Sequence, residues 1–344
     1  MGQDLMELLG EGNPVDLDEV RGWAEGEEGR RVFFDVVAVG GRRIRRPLTR
    51  RARPALLPVA AAGLALALMV GSVVLPDGRG GASASAAEVL LAAAKTARAQ
   101  SADPSVGEYR YTRSKLATLA TEGEGAGSYT VAWPLVREMW VAPDGSGRIR
   151  ERNDEPVFLR PEDRAAWKAS GSPQLWHTGV AMDDAFGPGQ LPYEDDSGFS
   201  TDPDELFEQI ERRAVESSSA PVPEGAPVTQ EMFVIVADLL RETVTPPELR
   251  AALYEVAARI PDVELVGDVT DPVGRPGVAV AMTWEQDAIR EELIFDPVTS
   301  ELLAVRQVIV RPVKWIDADP GTAVHWATYL ESGTTDSTRD RPSR

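Results

Sequence analysis

Cysteine is absent from all 344 residues of the chain. That removes disulfides, thiolate zinc sites, cysteine nucleophiles and a lipid-modified cysteine from consideration. Export does not depend on disulfides, so their absence leaves an extracytoplasmic location open. Histidine is nearly absent too: only His177 and His325 occur. Each adjoins a tryptophan, Trp176 or Trp326, and reads as a packed or surface residue rather than a metal ligand. No G-x-S-x-G, H-E-x-x-H or P-loop spacing is present. The glycine-rich "GEGAGS" at 123–128 lies between two strand-like runs and opens no helix, so it reads as a hairpin loop rather than a phosphate cradle. The chain is therefore expected to be non-catalytic, with no cofactor and no resident metal.

An acidic stretch is the strongest remaining candidate for ion binding. Asp183, Asp184, Glu194, Asp195, Asp196, Asp202, Asp204 and Glu205 follow one another without an intervening lysine or arginine. The alternating Asp pattern of a calcium loop is missing, and Asp202 to Glu205 are explained by capping a helix.

What the chain has in excess is negative charge, net −19, unevenly spread. Residues 1–41 carry 10 acids and 3 bases, residues 42–53 carry 7 arginines and no acid, and the chain from Pro76 carries 45 acids and 26 bases. Phosphate would be repelled by that last segment, so nucleic acid is not expected as a partner. The arginine block runs straight into residues 54–75, which are free of charge. As a helix those residues would span about 30 Å, the thickness of a bilayer core. Arginines before an apolar run stay on the cytoplasmic side. Residues 1–53 therefore read as a short cytoplasmic head with its arginine flank, 54–75 as a single transmembrane helix and 76–85 as a linker. Residues 86–332 read as an extracytoplasmic domain and 333–344 as a disordered tail. A rival reading is cleavage near Ala84, within "GASASAA". The long stretch before the apolar run, and the length of that run, favour a retained anchor.

The head is too short to build a stable core alone. It reads either as a loosely ordered tail or as a docking segment whose Leu17, Val20, Phe33 and Phe34 contact a cytoplasmic protein.

The exterior portion changes period along its length. An alanine-rich helix capped by serine is expected over 83–100. Strand-like alternation follows over 107–120 and 128–142, and a third strand after the "PDGSG" turn. Helices are expected over 200–213, 229–243 and 245–262, with Asp202 and Thr245 as N-caps. Two hairpins come next, around Asp271–Gly274 and Asp296–Pro297, and 323–332 reads as a last edge strand. Strands, then helices, then strands imply one α+β domain, a curved antiparallel sheet with helices on one face. Of its tryptophans, Trp133, Trp140 and Trp284 are candidates for lining an apolar cavity under that sheet.

Several stretches taken together, "GEYRYTRS", "REMWVAPDGSGRIR", "STDPDELFEQI", "VADLLRETVTPPELRAALYEVAARIPDVELVGDVTDPVGRPGVAVA" and "ELIFDPVTSELLAVRQVIV", resemble an uncharacterised actinobacterial family of single-pass membrane proteins. Its members are often encoded beside extracytoplasmic-function sigma factors. The resemblance covers roughly residues 40–332 and is most specific over 236–310. It implies a membrane-anchored sensor or regulator, with a sigma factor as a possible cytoplasmic partner. By fold analogy it also implies a half-barrel like that of periplasmic lipoprotein carriers, for which a lipid or other apolar ligand is the alternative function. The family supplies no catalytic residues to transfer.

Overall fold

A computed structural model describes residues 82–100, 108–123, 125–175, 178–190, 198–218, 228–241 and 245–342. Residues 54–75 and the head residues Leu17, Val20, Phe33 and Phe34 lie outside the described residues. Among the described residues no helix is long and apolar enough to cross a membrane.

The first helix, α1 (Ala84–Arg98), starts where the Ser83 hydroxyl accepts from the Ala86 amide at 3.3 Å. Its buried face is Ala86, Leu90, Ala93 and Ala97, and these small side chains let it lie close along a later helix. Two long strands follow, β1 (Tyr109–Glu122) and β2 (Tyr129–Val141), joined through a 3-10 turn at Gly125–Gly127. Next come β3 (Gly147–Asn153), the short β4 (Val157–Phe158), α2 (Pro161–Ala169) and β5 (Gly179–Phe186). Of these, β4, α2 and β5 fall in the section that the sequence pattern left irregular.

Three helices then cross over: α3 (Pro203–Ser218), α4 (Val228–Arg241) and α5 (Pro247–Ala257). Asp202 caps α3 as expected, accepting from the Asp204 and Glu205 amides. Thr245 does not cap α5. Pro246 holds the N-cap position, and the Thr245 hydroxyl instead donates to the Leu239 carbonyl at 2.8 Å, satisfying a carbonyl at the end of α4. The chain finishes with β6 (Glu264–Thr270), β7 (Pro276–Trp284), β8 (Ile289–Phe295), β9 (Leu302–Ile309) and β10 (Ala323–Thr335).

The ten strands among the described residues form one open antiparallel sheet in the order β5-β3-β2-β1-β10-β9-β8-β7-β6, with β4 beside β2. Two meanders thus run outward from the middle, and β1 and β10 join them. The expected edge strand at 323–332 is central, because its two neighbours are β1 and β9. Nor is the stretch from Gly333 a loose tail. Gly333–Thr335 complete β10, and beyond them Trp140 Nε1 donates to the Asp340 carbonyl at 2.8 Å while Arg341 reaches Glu138. Register shifts at Arg113/Ser114, Glu151/Arg152, Leu265/Gly267 and Ile294/Phe295 mark bulges, which bend strands and strengthen the local twist.

The helices do not share the sheet evenly. α1, α3, α4 and α5 build the main core against Val280, Met282, Leu293, Phe295 and Val305 of β7, β8 and β9. α2 stands apart, at β2 and β4, held by the Thr130 amide on Asp163 Oδ1. A smaller cluster gathers Ala117, Leu119 and Ala132 with Ile316 and Val324.

Candidate functional site

Strand alternation sends every second side chain to the face on which the four helices pack. Following register partners across that face gives three adjacent rows. One is apolar: Val280, Leu293, Val305, Ala327, Leu116 and Leu135 from β7, β8, β9, β10, β1 and β2. The row beside it runs Met282, Glu291, Gln307, His325, Thr118 and Trp133, polar through its middle four positions. On its other side, Trp284 of β7 pairs with Ile289 of β8, and Ile289 with Ile309 of β9.

The polar row is internally connected. Gln307 Nε2 donates to Glu291 Oε2 at 3.2 Å, and the Thr118 hydroxyl and His325 Nδ1 are hydrogen-bonded at 2.9 Å. From above, the last turn of α4 contributes Asp238 and Arg241, paired with each other. Burial pushes the Glu291 carboxyl upward, while Arg241 and the Gln307 bond oppose the rise. Burial depresses His325 to about 4, helped by the positive charges of Arg241 and Arg137, so the imidazole is neutral near pH 7. Arg137 belongs to a parallel polar line on the far side of the apolar row, where its Nε donates to the buried Glu151 at 2.7 Å.

Coverage of this face stops partway. Over β1 and β2, outside the main helical core, Leu116, Trp133, Leu135 and Met139 are half-buried and Thr118 is exposed. The site is therefore a partly open apolar floor with the neutral His325 at its edge, backed by the buried Glu291 carboxyl and the Arg241 guanidinium. Leu116 and Leu135 can contact an apolar group, and the exposed Thr118 hydroxyl beside them can hydrogen-bond a polar one. Among the described residues no group of three or more metal-binding side chains converges.

The three candidate tryptophans are not brought together. Trp133 sits at the end of the polar row. Trp284 shares its face, but β8, β9, β10 and β1 lie between them, a separation of about 24 Å along a flat sheet at about 4.8 Å per strand. Trp140 points to the opposite face, since it pairs with Tyr111 while Leu135 pairs with Leu116. There it lies 5.1 Å from Tyr111 between ring centroids and stacks beneath Arg148. Asp183 of the acidic stretch is bound by Arg148 at 2.7 Å; His177 and residues 191–197 lie outside the described residues. Thr118, Glu291, Gln307 and Arg241 escaped the sequence reading. The available signal was a polar residue where alternation demands an inward one.

No family model matches the chain, and no curated protein matches it. Solved structures similar to it include MucB in complex with MucA(peri), at 12% identity and a TM-score of 0.27, covering 73% of this chain and 56% of that one. MucB alone gives 14% identity and 0.23, covering 76% and 61%. The MucA/MucB complex of Pseudomonas aeruginosa gives 14% and 0.22, covering 73% and 58%. The chain thus spans under two thirds of those chains, and at such identities and scores no shared function follows.

Proposed function

We propose that this chain is a non-catalytic, membrane-anchored sensor or regulator whose extracytoplasmic domain binds a ligand or partner on the open half of the helix-side face. The observation that carries this reading is the half-buried floor of Leu116, Trp133, Leu135 and Met139 beside the polar row. The seven arginines before the uncharged run 54–75 support an anchor with the head inside. A non-enzymatic role is supported by polar groups that satisfy one another, Gln307 with Glu291 and Thr118 with His325. The cytoplasmic partner is proposed to be a sigma factor, met by Leu17, Val20, Phe33 and Phe34. Capture of an extracytoplasmic-function sigma factor from the same cells by residues 1–53 tests that half; absence of binding by both the head and the membrane-embedded full chain overturns it.

The alternative is carriage of a lipid or other apolar molecule, favoured by the apolar row that passes through Leu116 and Leu135. Native mass spectrometry of residues 82–342 would then show a copurified ligand, and an empty domain would count against it.

A further inference from the structure

Trp315 is 52% exposed, in the loop that joins β9 to β10. The loop is not loosely held. Ile316, next to Trp315, is buried in the smaller core. The Asp317 amide donates to Thr121 Oγ1 at 2.9 Å, its carboxylate takes Arg160 at 2.8 Å, and Arg311 donates to the Glu285 carbonyl. A large indole is thus held outward by fixed neighbours, flanked by exposed Arg311 and Lys314.

The position of this loop is set by strand direction. Ile289 lies opposite both Trp284 and Ile309, and Glu264 lies opposite Ala281, so the ends of β7 and β9 and the start of β6 share one end of the sheet. Ser83 donates its amide to the Val263 carbonyl at 2.8 Å and so enters the domain at that same end. Only residues 76–82 separate Ser83 from the apolar run, and seven residues reach at most about 25 Å. The opposite end, with Val273 and Val298 on its turns, lies farther away by the length of β7, about 30 Å.

We propose that the Arg311–Trp315 loop is a membrane-contact loop that seats Trp315 in the headgroup region of the bilayer carrying residues 54–75. The inference rests on the anchored reading above. Tryptophan favours that depth because its ring is apolar and its N–H is polar. Glu285, Asp287 and Asp319 offset the two cations at this end, so the contact is driven by the indole and tolerates salt.

Because the chain lacks cysteine, Lys314→Cys supplies a single thiol for an environment-sensitive fluorophore beside an intact Trp315. The full chain is reconstituted in phosphatidylcholine–phosphatidylglycerol vesicles containing lipid with a shallow nitroxide, with Val298→Cys labelled as the control. The label at position 314 should lose most of its emission to the nitroxide at both low and high salt, and Trp315→Ser should restore it. The label at position 298 should keep its emission. Equal quenching at 314 and 298, or quenching indifferent to Trp315→Ser, overturns the loop while leaving the anchor standing. A chain that does not float with the vesicles overturns both.

Discussion

Thr118 and His325 are 207 positions apart in sequence and hydrogen-bonded at 2.9 Å, side by side on the strands that join the two halves of the sheet. The environment that makes this contact holds His325 near 4, against an ordinary value of 6.5. A depressed histidine binds its proton more readily once unfolded, so its contribution to stability is complete above about 6.5 and declines as pH falls toward 4. His325→Gln should flatten the loss of stability across that interval, measured as urea midpoints at several pH values. An unchanged pH slope would contradict the assignment.

Glu291 should behave oppositely. Its carboxyl is raised by burial, so the fold favours the protonated form, and stability erodes as pH climbs through the folded value. Glu291→Gln keeps the shape and removes the charge. It should raise the thermal midpoint at pH 7 and have little effect in acid, a contrast that differential scanning calorimetry resolves.

The C-terminal residues should prove structural. Arg341 Nε reaches Glu138 at 2.8 Å, and the Tyr111 hydroxyl donates to the same carboxylate at 2.9 Å. Truncation after Asp336 leaves the buried Glu138 without its guanidinium and should cost about 1–3 kcal/mol. Loss of the Asp340 carbonyl from Trp140 Nε1 should also change the tryptophan emission. A truncated domain with full stability would show that the contact is incidental.

Gly147 should tolerate no side chain. A Cβ there would fall 1.9 Å from the Trp140 carbonyl oxygen, which has no freedom to retreat within the β2–β3 ladder. Gly147→Ala should cost more than about 2 kcal/mol or shift the hairpin register. Chemical denaturation reports the first outcome and amide exchange in β3 the second.

Leu135→Glu separates binding from folding. The side chain is half-buried on the open floor, so the charge should cost under about 1 kcal/mol while abolishing ligand or partner binding. Retained binding would move the site elsewhere.

Much of the framework is visible in local pattern. The alanine helix at 84–98, the hairpins turning at Asp271–Gly274 and Asp296–Pro297, and the capped start of α3 at Asp202 follow from periodicity and turn chemistry, which act over a few residues. β5 was not legible, because at a sheet edge its alternation separates an exposed face from a half-buried one, with no fully dry side to mark it. Trp140 was misplaced because composition does not reveal which face a strand turns inward; pairing with Tyr111 decides that.

The sequence by itself determined the charge layout, the uncharged run at 54–75 and the α+β class, since each depends on residue type and short-range spacing. Tertiary structure alone decided that β10 closes on β1, and so that Glu291, Gln307, His325 and Thr118 stand in one row. The physical reason is register: backbone hydrogen bonds between strands far apart in the chain choose the neighbours, and no local pattern encodes that choice.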